Sequence, residues 1–194
     1  MNLSISRQES FSRGELLLRT LFGWLYIGIP HMFMLAVFGI WSSLLGFLAF
    51  WVILFTGRYP QNWFEYQVAF RTWAIRFNAS LFNLIDGYPA IGLRGTSDSV
   101  VLAVPYSEDA NRVTVLVRAL FGMFYVLLPH GFLLFFRFMA SYFIMAIAWW
   151  VVLFTGSYPE SWHGFNVGTL RWQLRIDLYM SFLTDEYPRF SGRP

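Results

Sequence analysis

Two apolar runs, Leu16 to Phe55 and Val115 to Phe154, dominate this chain. Each is about 40 residues long. The first holds only Arg19 and His31 as ionisable groups, and the second adds Arg137 to the matching Arg118 and His130. No soluble domain buries runs of that length on every side. With 57% hydrophobic and 13% charged residues, the chain would expose large apolar patches in water. A membrane protein is the class that remains.

One span needs about 20 apolar residues, so 40 predict two helices in each run. Trp41-Ser42-Ser43 is the natural turn of the first run and Arg137 to Ser141 that of the second. The expectation is a hairpin over about 17–56, with members near 17–38 and 42–56, and another over about 115–155. Such hairpins return the chain to its starting side and leave 13 of the 14 Arg there. The positive-inside tendency then places both termini in the cytoplasm. An even number of spans per unit also makes the units parallel, related by an axis along the membrane normal.

The two runs belong to a longer self-similarity. Shifting the chain by 99 residues aligns about thirty identities without a gap. Arg19, Gly23, Tyr26, Pro30 and His31 fall on Arg118, Gly122, Tyr125, Pro129 and His130. After each apolar run comes Phe-Thr-Gly-x-Tyr-Pro (55–60 and 154–159), then Trp63 or Trp162, and then Asp-x-Tyr-Pro at 86–89 and 185–188. The pattern divides the chain into 1–95 and 96–194, with a Gly- and Ser-rich linker near 90–99. These motifs resemble an uncharacterised bacterial membrane-domain family, domain-of-unknown-function family 4389, in two tandem copies. The resemblance implies a bacterial inner-membrane protein and brings no catalytic residues with it. The first copy departs from the pattern at Gly87, where the second has Glu186, and lacks a counterpart of Arg171.

Thr56-Gly57 and Thr155-Gly156 read as helix ends, with glycine free to adopt the left-handed conformation. Pro60 and Pro159 suit the first turn of the next helix. Over 61–84, Trp63, Tyr66, Phe70, Trp73 and Phe77 recur at helical spacing opposite Glu65, Thr72 and Arg76; 160–184 repeats the pattern. These read as amphipathic helices in the headgroup plane. Short strands are expected at Leu3–Ser6 and Val100–Val104, paired with each other. The fold class is therefore an all-α integral membrane protein: two parallel repeats, each a transmembrane hairpin followed by an interfacial helix, with β lead-ins.

The candidate sites are few. His31 and His130, ionisable groups inside apolar runs, could face one another and ligate a haem iron or relay protons. The structural alternative is that each Pro frees a backbone carbonyl and the neighbouring His satisfies it or another backbone group. Arg71, Arg76, Arg171 and Arg175 could bind anionic lipid headgroups, or else anchor the helices and pair with Asp86 and Asp185. Tyr59, Tyr158, Trp63 and Trp162 read as interfacial contacts for lipid or partners. With no Cys, thiolate chemistry and iron–sulfur ligation are excluded. No metal is expected, and the scattered Arg argue against a nucleic-acid groove. No nucleophile elbow or phosphate loop is present, His163 has no second metal ligand at binding spacing, and Glu108-Asp109 reads as a solvated turn. The expected function is a non-enzymatic inner-membrane accessory or scaffold subunit contacting lipids and other integral membrane proteins. A lipid-handling or transport module and a haem-binding electron-transfer subunit are the alternatives.

Overall fold

A computed structural model describes all 194 residues. In order, the elements are β1 (Asn2–Ile5), α1 (Arg13–Thr56), α2 (Gln61–Leu81), β2 (Val100–Ala103), α3 (Arg112–Thr155) and α4 (Glu160–Met180). Every helix bound in the second half lies 99 residues beyond its counterpart, and the strand bounds do so to within one residue.

The expected hairpins do not form. Each apolar run is one unbroken helix of 44 residues, long and apolar enough to cross a membrane. Ser42 and Ser141 sit in mid-helix with no glycine or proline beside them to reverse the chain. Their hydroxyls turn inward, Ser42 donating to Gln67 Oε1 at 2.6 Å and Ser141 sharing a bond with Thr169. Prolines do not break the helices either. Before Pro30 and Pro129 the helix widens into one π turn, Trp24–Gly28 and Met123–Leu127. There the N–H of Ile29 reaches back five residues to Trp24, and that of Leu128 to Met123. The wider turn accommodates a ring that offers no N–H.

At the other end Gly57 and Gly156 take φ of 77° and 73°, and their N–H groups close onto Ile53 and Val152. That left-handed cap strongly favours glycine. Thr56 and Thr155 hydroxyls accept from the N–H two residues on, fixing the joint. Pro60 and Pro159 then open α2 and α4. These helices are not free interfacial helices. Each folds back along the middle of its long helix, Tyr66 donating to the Phe38 carbonyl and Trp73 to His31. Almost all of their apolar side chains are covered; Leu81 is the large exception.

The start of each long helix meets the end of the other. Phe11 N–H bonds the Gly156 carbonyl at 2.8 Å, Ala110 N–H that of Gly57 at 2.8 Å, and Trp149 Nε1 the Thr20 hydroxyl at 2.8 Å. The long helices are thus antiparallel to each other. The β strands do pair, antiparallel, with Leu3 opposite Leu102, and the ribbon lies against α2 and α4. A common core joins ribbon and helices through Leu3, Ile53, Ile75, Val152, Leu174 and Leu178.

Candidate functional site

Each half holds its histidine in an aromatic nest. Trp73 Nε1 donates to His31 Nδ1 at 3.0 Å, and Trp172 Nε1 to His130 Nδ1 at 2.9 Å. A ring nitrogen that accepts from indole carries no proton, so both rings are in the tautomer with hydrogen on Nε2. Tyr88 and Tyr187, from the Asp-x-Tyr-Pro motifs, lean over the rings with centroids 5.4 and 5.5 Å away.

Beyond that the nests differ. His31 stacks on Phe77 of α2 and its Nε2 has no hydrogen-bond partner. His130 stacks at 3.8 Å on Phe190 of the C-terminal tail, because the position matching Phe77 is Ile176. Its Nε2–H reaches the Tyr187 hydroxyl at 3.2 Å, and that hydroxyl donates to the Tyr125 carbonyl at 2.9 Å. Pro129 lacks the N–H that would pair with Tyr125 four residues earlier. The tyrosine of the closing motif therefore satisfies the carbonyl freed by proline, not the histidine beside it. The two histidines do not face one another. Both are fully buried among their own half's aromatics, and both have Nδ1 committed to tryptophan. A bis-histidine haem does not fit this donor set.

The motif aspartates act on the long helices. Asp86 accepts from Ser12 N–H at 2.6 Å and Asp185 from Asn111 N–H at 2.9 Å, where helix dipoles favour a negative charge. Their partners are Arg19 and Arg118, not the arginines of α2 and α4. Arg118 binds Asp185 at 2.5 Å and the Tyr179 and Thr184 carbonyls, and lies over the Tyr179 ring. Arg19 binds the Ser80 and Ile85 carbonyls and pairs with Asp86 at 3.7 Å. Burial pushes the Asp86 carboxyl above its usual range, and the Ser12 and Arg19 contacts oppose that shift. A lone Arg in an apolar run beside a repeated Asp was the available signal for both pairs.

The remaining candidates also turn inward. Arg76 holds the carbonyls of Gly92 and Gly95, and Arg175 those of Ser191 and Arg193. Arg171 reaches across to the Leu3 carbonyl at 2.9 Å and to Gly192. Arg71 reaches across in the other direction, to Asp177 at 2.7 Å and Ser181 at 2.5 Å. Tyr59 and Tyr158 are buried rather than interfacial, and burial pushes both hydroxyls up to about 12. Trp63 and Trp162 are half-covered by the core. These positions read as lipid or partner contacts because charge and aromaticity suit an interface; loop carbonyls of the same half hold Arg76 and Arg175, and the packing of the halves gives Arg71 and Arg171 their partners.

A cleft of about 630 Å³ opens beside Arg71, between α1 and α4. Its polar wall is Ser42, Gln67, Arg71, Asp177 and Ser181, and its rim includes Phe47, Phe50, Phe70 and Phe182. The matching positions in the other half are Ser141, Asn166, Leu170, Asn78 and Phe82, with no charge. No cluster of metal-ligating side chains is present.

Two helices long and apolar enough to cross a membrane and two paired halves define a mostly helical, apolar domain. Residues 112–192 match the model of a family described as a domain of unknown function (DUF4389). No curated protein and no solved structure matches the chain.

Proposed function

We propose that this chain is a non-enzymatic accessory or scaffold module of the bacterial inner membrane, made of two tandem copies of one helical unit. The observation that carries the reading is the division of its surface. The candidate polar side chains are spent on internal contacts, while the outer faces of α1 and α3 expose large apolar side chains from end to end. Such a molecule offers surface rather than a reaction centre, and other membrane proteins are its expected partners. Extraction in mild detergent followed by native mass measurement tests this. Stoichiometric co-purification of integral membrane proteins is expected; a lone chain of 22.7 kDa that carries out the cellular task unaided contradicts it.

Lipid handling is the second reading, favoured by the charged cleft with an aromatic rim around Arg71 and Asp177. A reconstituted lipid-scrambling assay separates the two, because protein-dependent flux lost in Arg71→Leu belongs only to the second.

A further inference from the structure

The long helices are too long to stand upright. At about 1.5 Å per residue, 44 residues extend roughly 66 Å, against about 30 Å of hydrocarbon. Nor is the excess a polar extension. Exposed apolar side chains run from Leu17 to Phe55 and from Val113 to Phe154, a stripe of roughly 57 Å on α1. To bury that stripe while spanning, the helix would tilt about 60° from the membrane normal, outside the observed range of about 0–40°.

The middle of the molecule excludes an upright position independently. The halfway region of α1, residues 31–42, is where α2 packs, through Trp73, Tyr66 and Gln67. Upright, the bilayer centre would fall on that layer. Glu65 is exposed there with only Gln61 as partner, and the Asp177 carboxylate is about half exposed. Charged groups at that depth are costly. The surface of α2 and α4, by contrast, is fit for water, since Leu81 is their sole exposed large apolar side chain. Exposed Arg13, Arg58 and Arg112 stand at the ends of the apolar stripes, where anionic headgroups would meet them.

We infer that α1 and α3 lie in the membrane plane, embedded in a single leaflet, with α2, α4 and the ribbon on the water side. The occupant of the apolar face is lipid. This inference rests on the membrane reading above. It makes the chain a one-sided anchor and puts both termini, both joints and the linker on one side of the bilayer.

The absence of cysteine makes the test direct. Single substitutions Ser10→Cys and Arg58→Cys flank α1, and Leu21→Cys, Ile40→Cys and Phe55→Cys sample its apolar face. In sealed vesicles of each orientation, an impermeant maleimide should label Ser10→Cys and Arg58→Cys from the same side at comparable rates. Bimane on the three apolar positions should be quenched with one shared depth profile by lipids brominated along the chain. Labelling from opposite sides, with Ile40→Cys deepest, overturns the inference and keeps the membrane reading. Release by alkaline wash with all three bimanes unquenched overturns both. Oxidative cross-linking of Ile40→Cys to a second copy, with loss of quenching, replaces lipid by another copy as the occupant.

Discussion

The two halves follow one plan with different side chains at a few positions, and the differences sort themselves by role. Where the halves are identical, the residues build each half: Arg19 and Arg118 on the motif aspartates, Trp73 and Trp172 on the histidines, Gly57 and Gly156 at the joints. Two of the differing arginines tie the halves together, and one of them lines the cleft. Arg71, opposite Leu170 in the repeat, crosses to Asp177; Arg171, opposite Thr72, crosses to Leu3. A pair of identical units would make each crossing contact twice. This chain does so at the joints, where Phe11 and Ala110 bond the Gly156 and Gly57 carbonyls, but its two arginine crossings differ.

The largest effect is expected where the shared plan is tightest. Arg118→Met leaves Asp185 and two carbonyls without their donor, and its side chain is fully buried. Denaturation in detergent should show a loss of about 3–5 kcal/mol. Arg19→Met should lose less, because its ion pair with Asp86 is longer.

Arg71→Leu copies the second half's residue into the first and cuts the crossing contact. A loss of about 1–3 kcal/mol is expected, discounted for the half-exposed Asp177. Adding Asp177→Asn, the residue at the matching position of the first half, should recover part of it in a double-mutant cycle. Strict additivity of the two would show that the crossing contact carries no coupling.

The nests give a smaller contrast. His130→Phe strands both Trp172 and the Tyr187 hydroxyl, whereas His31→Phe strands Trp73 while removing an unpartnered Nε2. His130→Phe should cost about 1 kcal/mol more in thermal or denaturant unfolding. Equal losses would mean that the Tyr187 link contributes nothing.

The smallest effect concerns pH. His163, at the position where the first half has Phe64, is pushed below its usual value by burial, with the Leu84 carbonyl opposing. Its unfolded form takes up a proton near 6.5 and its folded form does so only at lower pH. Its contribution is therefore complete above about pH 6.5 and declines as pH falls through the folded value. His163→Phe should make melting temperature less sensitive between pH 7 and 5; an unchanged slope would remove His163 as a contributor.

Much of the local structure was legible in the sequence. The Thr-Gly and Tyr-Pro joints, the paired strands and the helices after each Pro follow from backbone chemistry carried by few residues. The hairpins misled because length arithmetic assumed that an apolar helix stands upright, so 40 residues had to mean two. Nothing at Ser42-Ser43 or Arg137–Ser141 could turn a chain. Charge and aromaticity alone put the arginines and tyrosines at a membrane interface; the partners of Arg71 and Arg171, Asp177 and Leu3, lie in the other half, and Arg76 and Arg175 bind loop carbonyls of their own halves. Which half's side chains meet depends on the antiparallel arrangement, and periodicity within one repeat does not carry it. Arg19 and Arg118 were visible as lone charges but had no assigned acceptor until the Asp-x-Tyr-Pro loops were seen to fold back on the helix starts.

If the apolar helices lie along the membrane, their axes are close to its plane. Polarised infrared spectroscopy of the protein in oriented bilayers measures this directly through the amide I band. Dichroism for helix axes close to the membrane plane is expected. Dichroism for axes close to the membrane normal would contradict it.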